Sequence, residues 1–165
     1  MRPGPVEATA VSVAALDRIV SGGVALTTEA LARAEPGYEI TLQQWRVLRL
    51  LADRTEPMSV SAVAATLGVT LPATSRQLHR LESRGLIQFT EHPRDRRSLQ
   101  VGVTAAGESL RAAVLAFRRR RLVDIIERLE LSPGIERALA EVADALQSPA
   151  DRAPAPSAAV ESITA

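Results

Sequence analysis

Apolar positions along this chain recur with two periods, and the change from one to the other maps its elements. From Ala8 to Ala34 they step by three and four residues (Leu16, Ile19, Val20, Leu26, Ala30, Leu31), which predicts a helix. Gly22-Gly23 interrupts it and predicts a kink or a close helix approach. Pro36-Gly37 ends the segment. Thr41-Leu-Gln-Gln44 reads as a capping box opening a helix through about Asp53, with Trp45, Val47, Leu48 and Leu51 on its apolar face. Ser59 caps a short helix whose Val60, Val63, Ala64 and Leu67 turn inward, and Gly68 is its expected left-handed stop.

After the turn Gly68-Val69-Thr70 comes the stretch around which the chain is organised. Thr70 is expected as N-cap, its hydroxyl accepting from first-turn amides, with Pro72 tolerated where amides lack helical partners. On a helical wheel Leu71, Thr74, Leu78, Leu81 and Gly85 share the core side, whereas Pro72, Ala73, Arg76, His79, Arg80 and Ser83 point away. Gly85 closes the helix. The period then drops to two: Ile87 and Phe89 in one strand (Leu86 to His92), then Leu99, Val101 and Val103 in another (Ser98 to Thr104). Between them Pro93-Arg94-Asp95-Arg96-Arg97 predicts a turn with three guanidiniums in its last four residues. Small residues at the helix tip suit entry into a DNA major groove, and a basic hairpin alongside makes the whole a winged helix-turn-helix.

Thr104 then caps a long helix to about Glu130, striped by Leu110, Val114, Phe117, Ile125, Ile126 and Leu129. Ser132-Pro133 starts a last helix carrying Ile135, Leu139, Val142 and Leu146. Stripes on the first, long and last helices lie outside the compact head, and a second copy of the chain is the economical partner for them. Residues 1–7 and the Ala-, Pro- and Ser-rich 148–165 are expected to be flexible.

These residues resemble the MarR family of transcriptional regulators. The resemblance rests on TLQQWRVLRLLA (Thr41 to Ala52), SVSAVAATLGVTLPATSRQLHRLESRGLI (Ser59 to Ile87) and HPRDRRSLQVGVTAAG (His92 to Gly107), the last similar to the family's wing signature. It covers roughly residues 10 to 147. It implies a mainly α fold with a small β-wing: a winged helix-turn-helix DNA-binding head at 41–104, and dimerisation helices at 8–35 and 105–147 within a domain at 8–147. The DNA-facing set is Thr70, Pro72, Ala73, Ser75, Arg76, Gln77, His79, Arg80, Arg94, Asp95, Arg96 and Arg97. Arg97 is expected in the minor groove, held by Asp95, with Arg94 and Arg96 on phosphates. Arg76 suits guanine or phosphate, and Arg80 phosphate. Ser75 is equally a local helix hydrogen-bonder. The resemblance further implies a homodimer on a pseudo-palindromic operator, a repressor relieved by a small aromatic or lipophilic effector, and a cytoplasmic address.

Composition narrows this in places. The chain of 165 residues, 46% hydrophobic, suits one globular domain. Its net charge of +1 does not announce a nucleic-acid partner, but six arginines against three carboxylates between Ser59 and Thr104 give that span +3. With no cysteine, neither a disulfide nor a thiol switch is available, and two histidines do not make a closed zinc site. No cofactor or metal is expected. No apolar run approaches membrane-spanning length. The Arg118 to Arg121 run covers all sides of a helix and reads as ion pairs between helices or subunits, with DNA-backbone contact second. Trp45 reads as core before effector pocket. The competing readings are a winged-helix module for protein contacts and, further off, a small enzyme, for which neither phosphate loop nor nucleophile arrangement is present.

Overall fold

The computed structural model describes residues 10–34, 39–92, 95–129 and 131–147. The side chains of 10–12, 92–98 and 147 are outside that description. Six helices and three strands follow one another: α1 (Ala10–Arg33), α2 (Leu42–Ala52), β1 (Met58–Ser59), α3 (Val60–Leu67), α4 (Leu71–Glu82), β2 (Ile87–His92), β3 (Asp95–Val103), α5 (Ala105–Leu129) and α6 (Pro133–Gln147). The chain divides into two compact units, Met1–Arg121 and Leu122–Ala165.

In the first unit the core is built by α2, α3, α4 and the sheet, with the end of α1 and the first half of α5. Leu48, Val63, Leu78, Leu81, Leu86, Val101 and Val114 are fully buried, and Trp45 joins them as core. Each such side chain contributes about 1.5 to 3 kcal/mol of burial free energy. The capping box forms as read: Thr41 accepts from the Gln44 amide, and Gln44 Oε1 accepts from Thr41 N at 2.9 Å. That oxygen also accepts from Arg84 Nη1 at 3.2 Å, so buried Gln44 joins the entrance of α2 to the exit of α4.

The sheet is antiparallel in order β1-β3-β2. Met58 pairs with Val101 on one side of β3, and Phe89 pairs with Val101 on the other. Strand β1 is unanticipated, because two residues are too few to show a period. Strand β3 begins at Asp95, so the backbone of Asp95-Arg96-Arg97 runs in the strand and not in the turn, with an irregularity at Glu91/His92. Leu99, expected inward, is 49% exposed because it lies toward the outer end of the hairpin, past the reach of the core.

Two joints fix α4 against its neighbours. Gly85 takes φ +69°, and Leu86 N returns to Leu81 O, so α4 proper ends at Glu82 and the chain reverses into β2. Thr104 Oγ1 then donates to Gly85 O at 2.6 Å and accepts from Gly107 N at 3.2 Å, seating the start of α5 on that corner.

Helix α1 runs unbroken through Gly22-Gly23, where a kink or a close helix approach is expected, and a Cβ at either position would meet nothing within 4 Å among the described residues, so no helix approaches closely there. Its Val13, Leu16, Ile19, Val20 and Val24 are exposed. In the second unit Leu122, Ile125, Ile126 and Leu129 of α5 and Ile135, Leu139 and Leu146 of α6 are likewise exposed. Of the long-helix stripe only Leu110 and Val114 are buried and Phe117 half-buried. No helix among the described residues is long and apolar enough to cross a membrane. The expected flexible ends, and Pro36-Gly37, lie outside the described residues.

Candidate nucleic-acid interface

The helix-turn-helix is made by α3 and α4. Ser59 caps α3, its hydroxyl accepting from Ala62 N at 3.2 Å, and Gly68 ends it at φ +65°, where Val69 N donates back to Ala64 O. Only a residue free of Cβ strain takes that conformation cheaply, so the turn falls where the sequence puts its glycine. Thr70 has N-cap backbone geometry but no capping bond from its side chain, contrary to expectation. The buried Thr74 hydroxyl donates to Thr70 O at 3.1 Å. The helix is therefore started by backbone geometry and Pro72, and the Thr70 hydroxyl makes no hydrogen bond among the described residues.

Within α4 itself the division is as its wheel predicts, with one exception; Gly85, also placed on the core side, is exposed beyond the helix end at Glu82. Thr74, Leu78 and Leu81 are buried; Pro72, Arg76, His79 and Arg80 are exposed; Ala73, Ser75 and Gln77 lie at the boundary. The exception is Leu71, assigned to the core side yet 51% exposed, because it occupies the first helical position, beyond the end of the layer that covers Leu78. Val69 in the turn is 40% exposed.

Charge on this face is free to act outward. Arg76 and Arg80 enter no ion pair among the described residues, while Arg84 is held inward by Gln44. His79 is positioned from two sides: Nδ1 lies 3.4 Å from Glu82 Oε2, and its ring sits 5.2 Å from that of Phe89, at 41°. Beside the tip, Gln43, Val47, Leu67, Val69, Ala73, Thr74 and Gln77 line a cleft of about 210 Å³. The Gln77 carbonyl oxygen is buried without a protein partner. Thr70, Pro72, Ala73, Ser75, Arg76, Gln77, His79 and Arg80 thus lie on one short helix and its entrance. Arg94 and the side chains of Asp95, Arg96 and Arg97 lie outside the described residues.

A second concavity, of about 450 Å³, lies between the end of α1 and the middle of α5, lined by Ala30, Arg33, Ala34, Ala113, Ala116, Phe117 and Arg120. Arg33 stacks over the Phe117 ring at 5.7 Å and pairs with Glu29 at 3.2 Å. Four alanines open the hollow and two guanidiniums make it cationic, a combination no linear motif announces. The expected ion pairs of Arg118 to Arg121 are not found among the described residues. Arg118 is half-buried with Nε unpartnered, and burial, then neighbouring Arg49, lowers its pKa. Instead Arg111 bridges to Asp53, which Arg49 also approaches at 3.5 Å.

Comparison with known proteins agrees with this geometry. Residues 38–98 match the model of the MarR family. A transcriptional regulator, HosA of Escherichia coli O111:H-, is 32% identical over 77 residues; the match spans 47% of this chain and 56% of that relative's length. The crystal structure of RV1404 from Mycobacterium tuberculosis superposes with a TM-score of 0.74 at 28% identity, covering 87% of this chain and 96% of that one. CouR from Rhodococcus jostii RHA1, solved bound to p-coumaroyl-CoA, superposes with a TM-score of 0.62 at 25% identity over 84% of this chain and 90% of its own. Helix order, the three-stranded sheet and the sequence match agree in what this chain is similar to: over residues 38–98, the MarR family.

Proposed function

We propose that this chain is a sequence-specific DNA-binding transcriptional regulator with no catalytic activity of its own. The observation that carries the reading is the two-sided α4: Leu78 and Leu81 buried beneath, Arg76 and Arg80 exposed and unpaired above, at the exit of a helix-turn-helix. A helix so anchored can enter a major groove about 12 Å wide, with Arg76 toward a guanine edge and Arg80 toward phosphate. The β2–β3 hairpin would carry Arg94, Arg96 and Arg97 beside it, Arg97 entering the minor groove.

The exposed stripes of α1, α5 and α6 support a homodimer, and two heads related by a two-fold axis would read a pseudo-palindromic operator. Repression follows if the operator overlaps a promoter. The hollow between α1 and α5 supports relief by a small aromatic or lipophilic anion, its ring among the alanines and Phe117 and its charge between Arg33 and Arg120. A ligand that binds better to one spacing of the two heads than another would shift the population away from the DNA-competent one. The similar fold of CouR, solved bound to p-coumaroyl-CoA, supports a ligand-responsive reading.

Selection of duplexes from random DNA by the purified protein tests the reading. Enrichment of an inverted repeat with half-sites about one helical turn apart is expected. Failure to enrich any sequence, with no retention of duplex at low salt, would overturn it.

A further inference from the structure

The tip of α4 is apolar where a DNA-reading helix is usually polar. From Gly68 to Ser75 the chain has no charged residue, and two large side chains in that run face outward: Leu71, 51% exposed, and Val69, 40% exposed. Neither is needed to complete the core, which under α4 is made by Thr74, Leu78 and Leu81. The polar groups at the tip are few. Pro72 has no N–H, the Thr70 hydroxyl makes no capping bond, and the first guanidinium is a turn further on at Arg76. An apolar end with cations behind it is the complement of a major groove, whose walls are phosphate and whose only apolar base feature is the thymine C5-methyl group.

We infer that Leu71 is a specificity residue that packs against a thymine methyl in each half-site, so that the preferred sequence is set partly by apolar contact and not by hydrogen bonding alone. This rests on α4 being the DNA-reading helix, and it adds the base that the tip selects. Val69, on the other side of Thr70, is a second exposed apolar side chain at the tip, and Arg76 fixes the register by its charge. A leucine at the first helical position has no β-branch and can swing its terminal methyls toward the groove floor without disturbing the buried side of the helix.

The experiment takes the best duplex enriched from random DNA and replaces each thymine in turn by deoxyuridine, which lacks only the methyl. For the unaltered protein, one thymine per half-site should lose about fourfold in affinity on replacement, the worth of one buried methyl-sized group. For Leu71→Ala that penalty should vanish, while the affinity for the deoxyuridine duplex stays close to that of the unaltered protein. Leu71→Ala should keep the parent melting curve, because the side chain is exposed. Neutral replacement at every thymine, or an equal penalty in both proteins, would overturn the inference while leaving DNA binding intact. A change of oligomeric state in Leu71→Ala, without a change in base preference, would assign the tip to a protein contact and overturn it too. Absence of any enriched duplex is a separate outcome and would overturn the DNA reading together with this one.

Discussion

Gly107 is the position where one added carbon is expected to cost most for its size. A Cβ there would lie 2.1 Å from the Leu86 carbonyl oxygen, 2.7 Å from Val103 Cγ2 and 3.1 Å from Leu48 Cδ1. Against the 3.4 Å of ordinary contact, the first approach is short by 3.4 less 2.1, or 1.3 Å, and the obstacle is backbone. Relief requires the first turn of α5 to withdraw from the α4–β2 corner, which weakens the bonds from Gly107 N to Thr104 Oγ1 and from Thr104 Oγ1 to Gly85 O. Overpacking of this kind costs about 1 to 3 kcal/mol, and each strained hydrogen bond roughly 1 kcal/mol more. Alanine's better helix propensity returns about 1 kcal/mol. The net for Gly107→Ala is about 2 to 4 kcal/mol of destabilisation, or roughly 6 to 12 °C in melting temperature for a chain of this size. Gly22→Ala is the internal control, since open space surrounds its Cβ. There the propensity gain stands alone, and the melting temperature should rise by about 3 °C. Thermal melts by circular dichroism at one fixed protein concentration compare the two. A Gly107→Ala protein that melts at or above the parent temperature would refute the close seating of α5 on the reading helix.

Other expectations follow from the same structure. Gln44→Ala removes an acceptor shared by Thr41 N and Arg84 Nη1 and leaves a buried gap, so urea unfolding should show about 2 to 3 kcal/mol less stability. Leu78→Ala, at a fully buried site, should cost about 2 to 5 kcal/mol in the same assay and lose DNA binding in proportion to the unfolded fraction. Arg97→Ala should weaken binding to the selected duplex at least about tenfold in salt-matched titrations, with an unchanged melting curve; unchanged affinity would remove the hairpin from the mechanism. Ala116→Leu should fill the α1–α5 hollow, leaving DNA affinity intact while abolishing release by aromatic acids or their thioesters that dissociate the parent complex.

Much of the head was legible because its signals are local. The Thr41–Gln44 box, the glycines at 68 and 85 and the period change after Gly85 each act within a few residues, and the structure has helix entry, left-handed stops and hairpin at those places. What escaped depends on partners distant in sequence. Strand β1 exists only because Met58 meets Val101, and Gln44 acquires its second role from Arg84, 40 residues on. A wheel or an alternation puts Leu71 and Leu99 inward because it assumes a covering layer along the whole element, and both lie where that layer has ended. The α1–α5 hollow is made by alanines, whose smallness matters only once two helices face each other. The arginine run points to ion pairs that are not found among the described residues, and the charge that Arg118 feels there is that of another cation, Arg49.

The central claim is that the exposed face of α4 is an electrostatic and apolar fit to duplex DNA, and the salt dependence of binding addresses it most directly. Affinity for the selected duplex, plotted as its logarithm against that of salt concentration, should fall steeply, by about 0.9 for each phosphate neutralised. Arg80→Ala should make the line shallower by about that amount per head. A slope near zero, or one that Arg80→Ala leaves unchanged together with the affinity, would contradict the assignment of this helix to DNA.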